Sequence, residues 1–123
     1  MNKICTSLEQ SQKLKELWID INTADMYWWY LGKPSGKRYY VGTMDDDDFN
    51  EKIDVPAWSL SALLDVLPIL ERKGYQKDKP RLLYNVAINK WIVDSHVYTT
   101  DAYDNPVDAA FEMVCWLKEN GKI

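Results

Sequence analysis

"MYWWYLGKPSGKRYYVG", residues Met26 to Gly42, is the stretch on which the fold turns. Two aromatic, β-prone runs flank the segment KPSGK. Pro34 suits the second place of a type I turn, and Gly36 suits the left-handed place after it. The stretch therefore predicts a hairpin with a three-residue loop, Pro34 to Gly36. Side chains alternate along a strand, so the adjacent Trp28 and Trp29 point to opposite faces. This turn puts Tyr27, Trp29, Leu31, Tyr39 and Val41 on one face. Trp28, Tyr30, Arg38 and Tyr40 fall on the other. A slip of one residue would invert that assignment.

Further along, "RLLYNVAINKWIVDSHVYTT" (Arg81 to Thr100) reads as a second hairpin with Asn89-Lys90 at its tip. Ile88 then faces Trp91, Val86 faces Val93, Tyr84 faces Ser95 and Leu82 faces Val97, an almost wholly apolar set. The opposite face pairs Ala87 with Ile92, Asn85 with Asp94, Leu83 with His96 and Arg81 with Tyr98. The hydrophobic alternation agrees with the turn placement.

Three helical patterns surround the hairpins. Ser7 and Gln10 form a capping box, and Leu14, Leu17 and Trp18 follow at helical spacing, which predicts a helix over about Ser7 to Leu17. Leu60, Leu63, Leu64 and Leu67 form one stripe of a second helix. Ser59 caps it, or Asp54 does if Pro56 occupies its first turn; Pro68 ends it. Asn105 caps the third helix, Pro106 takes its first turn and Asp108 favours its N-terminus. Val107, Ala110, Phe111, Val114 and Leu117 face inward, and Gly121 stops it. Gly74 and the stretch QKDKP read as a polar connection. The expected fold is an α+β single domain, residues 1–123, in the order α-ββ-α-ββ-α. The two hairpins join into one four-stranded antiparallel sheet, with the helices mainly on one face.

Composition narrows the function. Asp plus Glu number 19 and Lys plus Arg number 15, a net charge of −4. Removing Asp45, Asp46, Asp47 and Asp48 leaves the rest neutral, so the excess equals that one tract. No broad basic footprint exists, which argues against a nucleic-acid partner. No apolar run approaches the ~20 residues a membrane helix needs, and the N-terminus lacks an apolar signal segment. The expected location is the cytoplasm, where Cys5 and Cys115 are free thiols. One histidine and no CxxC pair argue against a structural zinc site. No metal and no cofactor are expected.

Several groups could carry chemistry. An EF-hand loop opening at Asp45 needs a glycine at position 50 and an acid at position 56; Asn50 and Pro56 stand there. The tract reads as a solvated loop. Asp94 and His96, two apart on a strand, point to one face about 6–7 Å apart and form a candidate acid–base pair. No nucleophile motif accompanies them. Cys115 lies one helical turn from Phe111 and reads as a buried thiol. The most unusual feature is aromatic content on both faces of the first hairpin. One face fills the core; the other is covered by residues 43–58, by a ligand or partner, or stays open. If the helices cover one side of the sheet, the other side carries Trp28, Tyr30, Tyr40, Asn85, Asp94, His96 and Tyr98.

The segments CTSLEQSQKL, NTADMYW, PAWSLSALLDVLP and NPVDAAFEMVCWLKENG together resemble a group of small uncharacterised proteins from gut anaerobic bacteria and their prophages. The resemblance covers most of the chain and is most specific over Pro56–Pro68 and Asn105–Gly121. It implies a prophage or mobile-element origin and an intracellular life, and it carries over no functional residue. Two function classes follow from the residues. One is a non-catalytic interaction module that uses Trp28, Tyr30, Tyr40 and Tyr98 to bind a protein partner or a second copy. The other is a small ligand-binding protein or enzyme centred on Asp94 and His96.

Overall fold

A computed structural model of the chain describes residues 3–30, 39–43, 49, 54–71 and 77–123. The predicted loop Pro34–Gly36, the tract Asp45–Asp48 and Gly74 lie outside the described residues. Local signals set the helices. In α1 (Leu8–Glu16), Ser7 Oγ accepts from the Gln10 amide at 3.1 Å, and Gln10 Oε1 accepts from the Ser7 amide at 2.9 Å. In α2 (Leu60–Val66), Ser59 Oγ accepts from the Ala62 amide at 3.2 Å. In α3 (Pro106–Glu119), Asn105 Oδ1 accepts from the Asp108 amide at 2.9 Å, with Pro106 at the first helical position.

The helix ends contain a contrast. After α3, Lys122 N–H donates to the Leu117 carbonyl at 2.8 Å and Gly121 N–H to the Lys118 carbonyl at 3.2 Å. Gly121 has φ +69, the left-handed conformation that this closure requires. After α1 the same pair of bonds runs from Ile19 to Leu14 and from Trp18 to Lys15, both at 3.1 Å. There the left-handed residue is Trp18, φ +64. A side chain at that φ costs roughly 1–2 kcal/mol, because Cβ crowds the following carbonyl. Trp18 is also 86% exposed. It does not continue the apolar face of α1 as its spacing suggested, because the helix closes before it.

The predicted four-stranded sheet does not form. β1 (Met26–Tyr30) is the centre of a three-stranded antiparallel sheet, between β2 (Tyr39–Thr43) and β3 (Val55–Ala57). β3 occupies the edge of β1 that a second hairpin would have needed. Pro56 lies inside β3, so the alternative cap at Asp54 fails; an edge strand tolerates proline because its outer side needs no donor. The supposed polar connection after α2 contains a minimal pair, β4 (Leu70–Glu71) with β5 (Lys77–Asp78). β6 (Arg81–Asn85) and β7 (Lys90–Asp94) make a separate two-stranded sheet. A 3₁₀ turn at Ile21–Thr23 links α1 to β1.

Both hairpin registers differ from expectation, with opposite consequences. In the first, Trp28 pairs with Val41, Trp29 with Tyr40 and Tyr30 with Tyr39. This is one residue from the expected register. Tyr40 therefore stands in register with Trp29, not with Tyr30. In the second, Leu82 pairs with Val93, Tyr84 with Trp91 and Asn85 with Lys90. The tip is the four-residue segment 86–89, not Asn89-Lys90. Asn85 Oδ1 accepts from the Ala87 amide at 3.1 Å, which starts the loop early, and Asn89 takes φ +53 at its end. The partners shift by an even number, so Leu82, Tyr84, Trp91 and Val93 keep a common face.

The expected long strand through Thr100 stops at Asp94. Ser95 N–H donates to the Tyr98 carbonyl at 3.0 Å, and Ser95 Oγ to the same carbonyl at 2.8 Å, which closes a tight turn. The chain then runs back along β7, with two bonds between Trp91 and Tyr103 and one from Thr100 N–H to the Val93 carbonyl. This return segment takes the outer edge of β7, so the second hairpin has no free edge there to offer β1.

α3 is the spine of the core. Ala109, Ala110, Met113, Val114 and Leu117 are all inaccessible, and they share one buried cluster with Trp58, Leu63 and Val93. α2 and the β6–β7 hairpin pack against α3. A polar clasp ties α1 to the start of α3. Lys3 Nζ donates to Gln10 Oε1 and to Asp108 Oδ1, each at 2.7 Å; Gln10 Nε2 also donates to Asp108 Oδ1. Burial pushes the Asp108 carboxyl up, but the hydrogen bonds from Lys3, Gln10 and Asn105 outweigh it and hold the pKa below its ordinary value.

Candidate interaction surface

The residues singled out from the sequence do not share one face. Trp28, Tyr30 and Tyr40 belong to the β1 sheet, whereas Asp94, His96 and Tyr98 lie at and beyond the end of β7. Trp28 is half-buried, and its indole N–H donates to the Thr6 carbonyl at 3.0 Å. Thr6 immediately precedes the cap of α1, so Trp28 faces the N-terminal segment, not a helix-free side. On the other face of β1, Tyr27 is 2% exposed and meets Phe49 edge-on at 5.2 Å. Across the ladder, a Cβ at Gly42 would stand 3.4 Å from the Tyr27 ring, an ordinary van der Waals contact, so the ring lies directly over this position. Both faces of β1 are thus engaged. The side chains of Tyr30 and Tyr40 lie outside the described residues.

Asp94 and His96 are not joined. Asp94 Oδ1 accepts from Thr99 Oγ1 at 2.6 Å. His96 sits in the turn after β7, and its Nδ1 is buried with no hydrogen-bond partner. Acid–base work would need those two groups linked, directly or through a substrate. Tyr98 points elsewhere: its ring stacks on Trp116 at 4.5 Å and 9°, and its hydroxyl donates to Glu112 Oε2.

Glu112 is a residue that sequence reasoning missed. Tyr103 OH donates to its Oε1 at 2.6 Å, and the Asp101 amide to the same oxygen at 3.1 Å. One carboxylate of α3 thereby holds the return segment at three points. The hydrogen bond to Glu112 pushes the Tyr98 phenol up to about 12, and burial together with Glu112 raises Tyr103 as well. The cluster is a clamp: the phenols are kept protonated and occupied. Glutamate two residues before a buried valine carries no sequence signal of this kind.

Among the described residues, four of the seven exposed large apolar side chains lie on the second hairpin. Val86 is 77% exposed, Ile88 51%, Tyr84 45% and Leu83 39%. Val86 and Ile88 sit in the loop itself, where polar residues are the norm. Tyr84 leans on Trp91 at 4.9 Å, and its hydroxyl donates to Asn89 Oδ1 at 3.2 Å, so the tip is internally braced. Among the described residues, β6 pairs only with β7. The surface thus combines large apolar side chains with the backbone donors and acceptors of an edge strand.

Other chemistries find little support in the geometry. Among the described residues, no three of His, Cys, Asp and Glu gather closely enough to hold a metal ion, and no helix is long and apolar enough to cross a membrane. Both cysteines are buried and free. Burial pushes the Cys5 thiol up to about 11 and the Cys115 thiol to about 12, so the reactive thiolate is suppressed at both. Each is expected to resist an aromatic disulfide reagent in the native state and to react once urea unfolds the chain. Rapid labelling of either thiol in the native state would contradict its burial.

No protein-family model, curated protein or solved structure matches the chain.

Proposed function

We propose that this chain is a non-catalytic interaction module, and that the β6–β7 hairpin is its docking surface. The observation that carries this reading is the exposure of Leu83, Tyr84, Val86 and Ile88 on one braced hairpin. Such a surface fits a protein partner that adds an extended apolar segment to the outer edge of β6. Main-chain bonds would supply affinity, and the flanking side chains specificity. The docking surface replaces the aromatic face expected from Trp28, Tyr30 and Tyr40, since Trp28 is committed within the fold. A prophage or mobile-element origin and a cytoplasmic location belong to the same proposal.

The test is the double variant Val86→Asp/Ile88→Asp. Both positions are solvent-exposed, so the melting temperature should hold. Partner capture by the immobilised chain, or self-association in sedimentation, should fall by at least about tenfold, because centrally placed apolar anchors dominate interfaces. Retention of the same partners at the same yield would remove the hairpin from the interface. A wild-type chain that stays monomeric and captures nothing reproducible would end the interaction-module reading.

A further inference from the structure

The segment that follows α1 and the last turns of α2 and α3 border an open cleft of about 350 Å³, and no residue of the β6–β7 hairpin lines it. Ile19 and Val66 contribute apolar lining, and Trp18 stands beside it with 86% of its surface in water. Asp20, Asp65 and Lys118 also line the cleft. Among the described residues none of these three charged groups is in an ion pair. Asp20 accepts the Asn22 amide through Oδ1 at 2.9 Å, which leaves Oδ2 available.

The charges choose between ligand classes. Two carboxylates against one ammonium leave the lining negative, and helix C-termini add partial negative charge to it. An anion would be repelled. A neutral apolar molecule would gain nothing from Asp20 and Asp65. A cation with an apolar shell suits the lining best: the Trp18 indole attracts it electrostatically, the two carboxylates balance it, Ile19 with Val66 receive its alkyl groups, and Lys118 alone opposes it. We propose that this cleft binds a small alkylated ammonium ion, with Trp18 as its aromatic platform. On this reading the indole is exposed because its face is the binding surface. The glycine that fills the equivalent place after α3 could not supply it.

Choline and its uncharged isostere 3,3-dimethylbutan-1-ol are the probes, titrated into the full chain by calorimetry and by NMR of the ligand methyl groups. Choline should bind saturably, and the isostere at least about tenfold more weakly, since the shape is shared and only the cation–π and ionic attraction is lost. Trp18→Gly should abolish choline binding while leaving the melting temperature equal or higher, because glycine suits φ +64. Lost binding would then not be lost folding. Asp65→Asn should weaken binding several-fold, and Lys118→Met should tighten it by removing repulsion. Phosphatidylcholine vesicles form a second arm: co-sedimentation would assign the cation to a lipid headgroup, and choline binding without co-sedimentation to a free ion. The proposal is overturned if choline shows no saturable binding, if the isostere binds equally well, or if Trp18→Gly retains the wild-type affinity.

Discussion

Replacing Trp58 with alanine is expected to destabilise the fold by about 3–5 kcal/mol, the range for deleting a large buried side chain. Trp58 is wholly inaccessible and lies in the same cluster as Leu63, Met113 and Val114. Its indole N–H donates to Thr23 Oγ1 at 2.9 Å, so the variant also removes the hydrogen bond that ties Trp58 to the 3₁₀ turn. Its backbone is held on both sides by Thr6: the Thr6 amide donates to the Trp58 carbonyl at 2.8 Å, and the Trp58 amide donates to Thr6 Oγ1 at 3.1 Å. The side chain thus centres a junction between the N-terminal segment, the 3₁₀ turn and α2. Against a total stability of roughly 5–15 kcal/mol, the loss would leave the variant partly unfolded at moderate temperature. Urea denaturation of Trp58→Ala beside Trp28→Ala checks this. Trp28 is only half-buried, so its variant should cost clearly less; a reversal of that order would refute the packing described.

Glu112→Ala is expected to cost about 2–4 kcal/mol, since three donors lose a charged acceptor and hydrogen bonds to charged groups contribute more than neutral ones. The effect should be local, freeing the segment from Ser95 to Tyr103 before α3 melts, and amide exchange at Thr100 and Tyr103 would report it. Glu112→Gln should cost less, because its amide oxygen still accepts. The pH dependence provides an independent check. The Tyr98 phenol is raised from 10.0 to about 12 in the fold, chiefly by its hydrogen bond to Glu112. A group whose folded pKa is raised contributes stability that is fully present below its unfolded pKa and is lost as pH rises through the folded one. Wild-type stability should therefore fall across about pH 10 to 12, and Glu112→Ala should flatten that fall. Phenolate absorption in the variant should show Tyr98 titrating nearer its ordinary value. An unchanged alkaline profile would mean that Glu112 does not hold the phenols.

Features written in a few adjacent residues were legible. Ser7 with Gln10, Ser59, and Asn105 with Pro106 set the helix starts because a cap is satisfied within one turn of chain. Gly121 marked an end for the same reason. The faces of the second hairpin were legible even though its register was not: alternation has period two, so an even shift leaves each side chain where it was. In the first hairpin a shift of one set Tyr40 in register with Trp29 instead of Tyr30, so the parity assumed across that ladder did not hold.

The candidate site was mostly not legible. The exposure of Val86 and Ile88 depends on the four-residue loop that Asn85 initiates, and their pattern alone placed them within strands. Trp18 repeats with Leu14 at helical spacing, yet it faces water because α1 closes one residue earlier. Glu112 matters through Tyr98 and Tyr103, nine or more residues distant in sequence.

By itself, then, the sequence determined the α+β class, the three helices with the caps of α1 and α3, the existence of two hairpins and the buried stripe of α3. Each of these rests on hydrogen bonds or periodicity within a single element. Only the tertiary structure decided how the strands distribute into sheets of three, two and two. That outcome is a competition for edges: β3 reaches one side of β1 and the return segment reaches the outer side of β7, and neither carries a local signal because its stability comes from the partner strand.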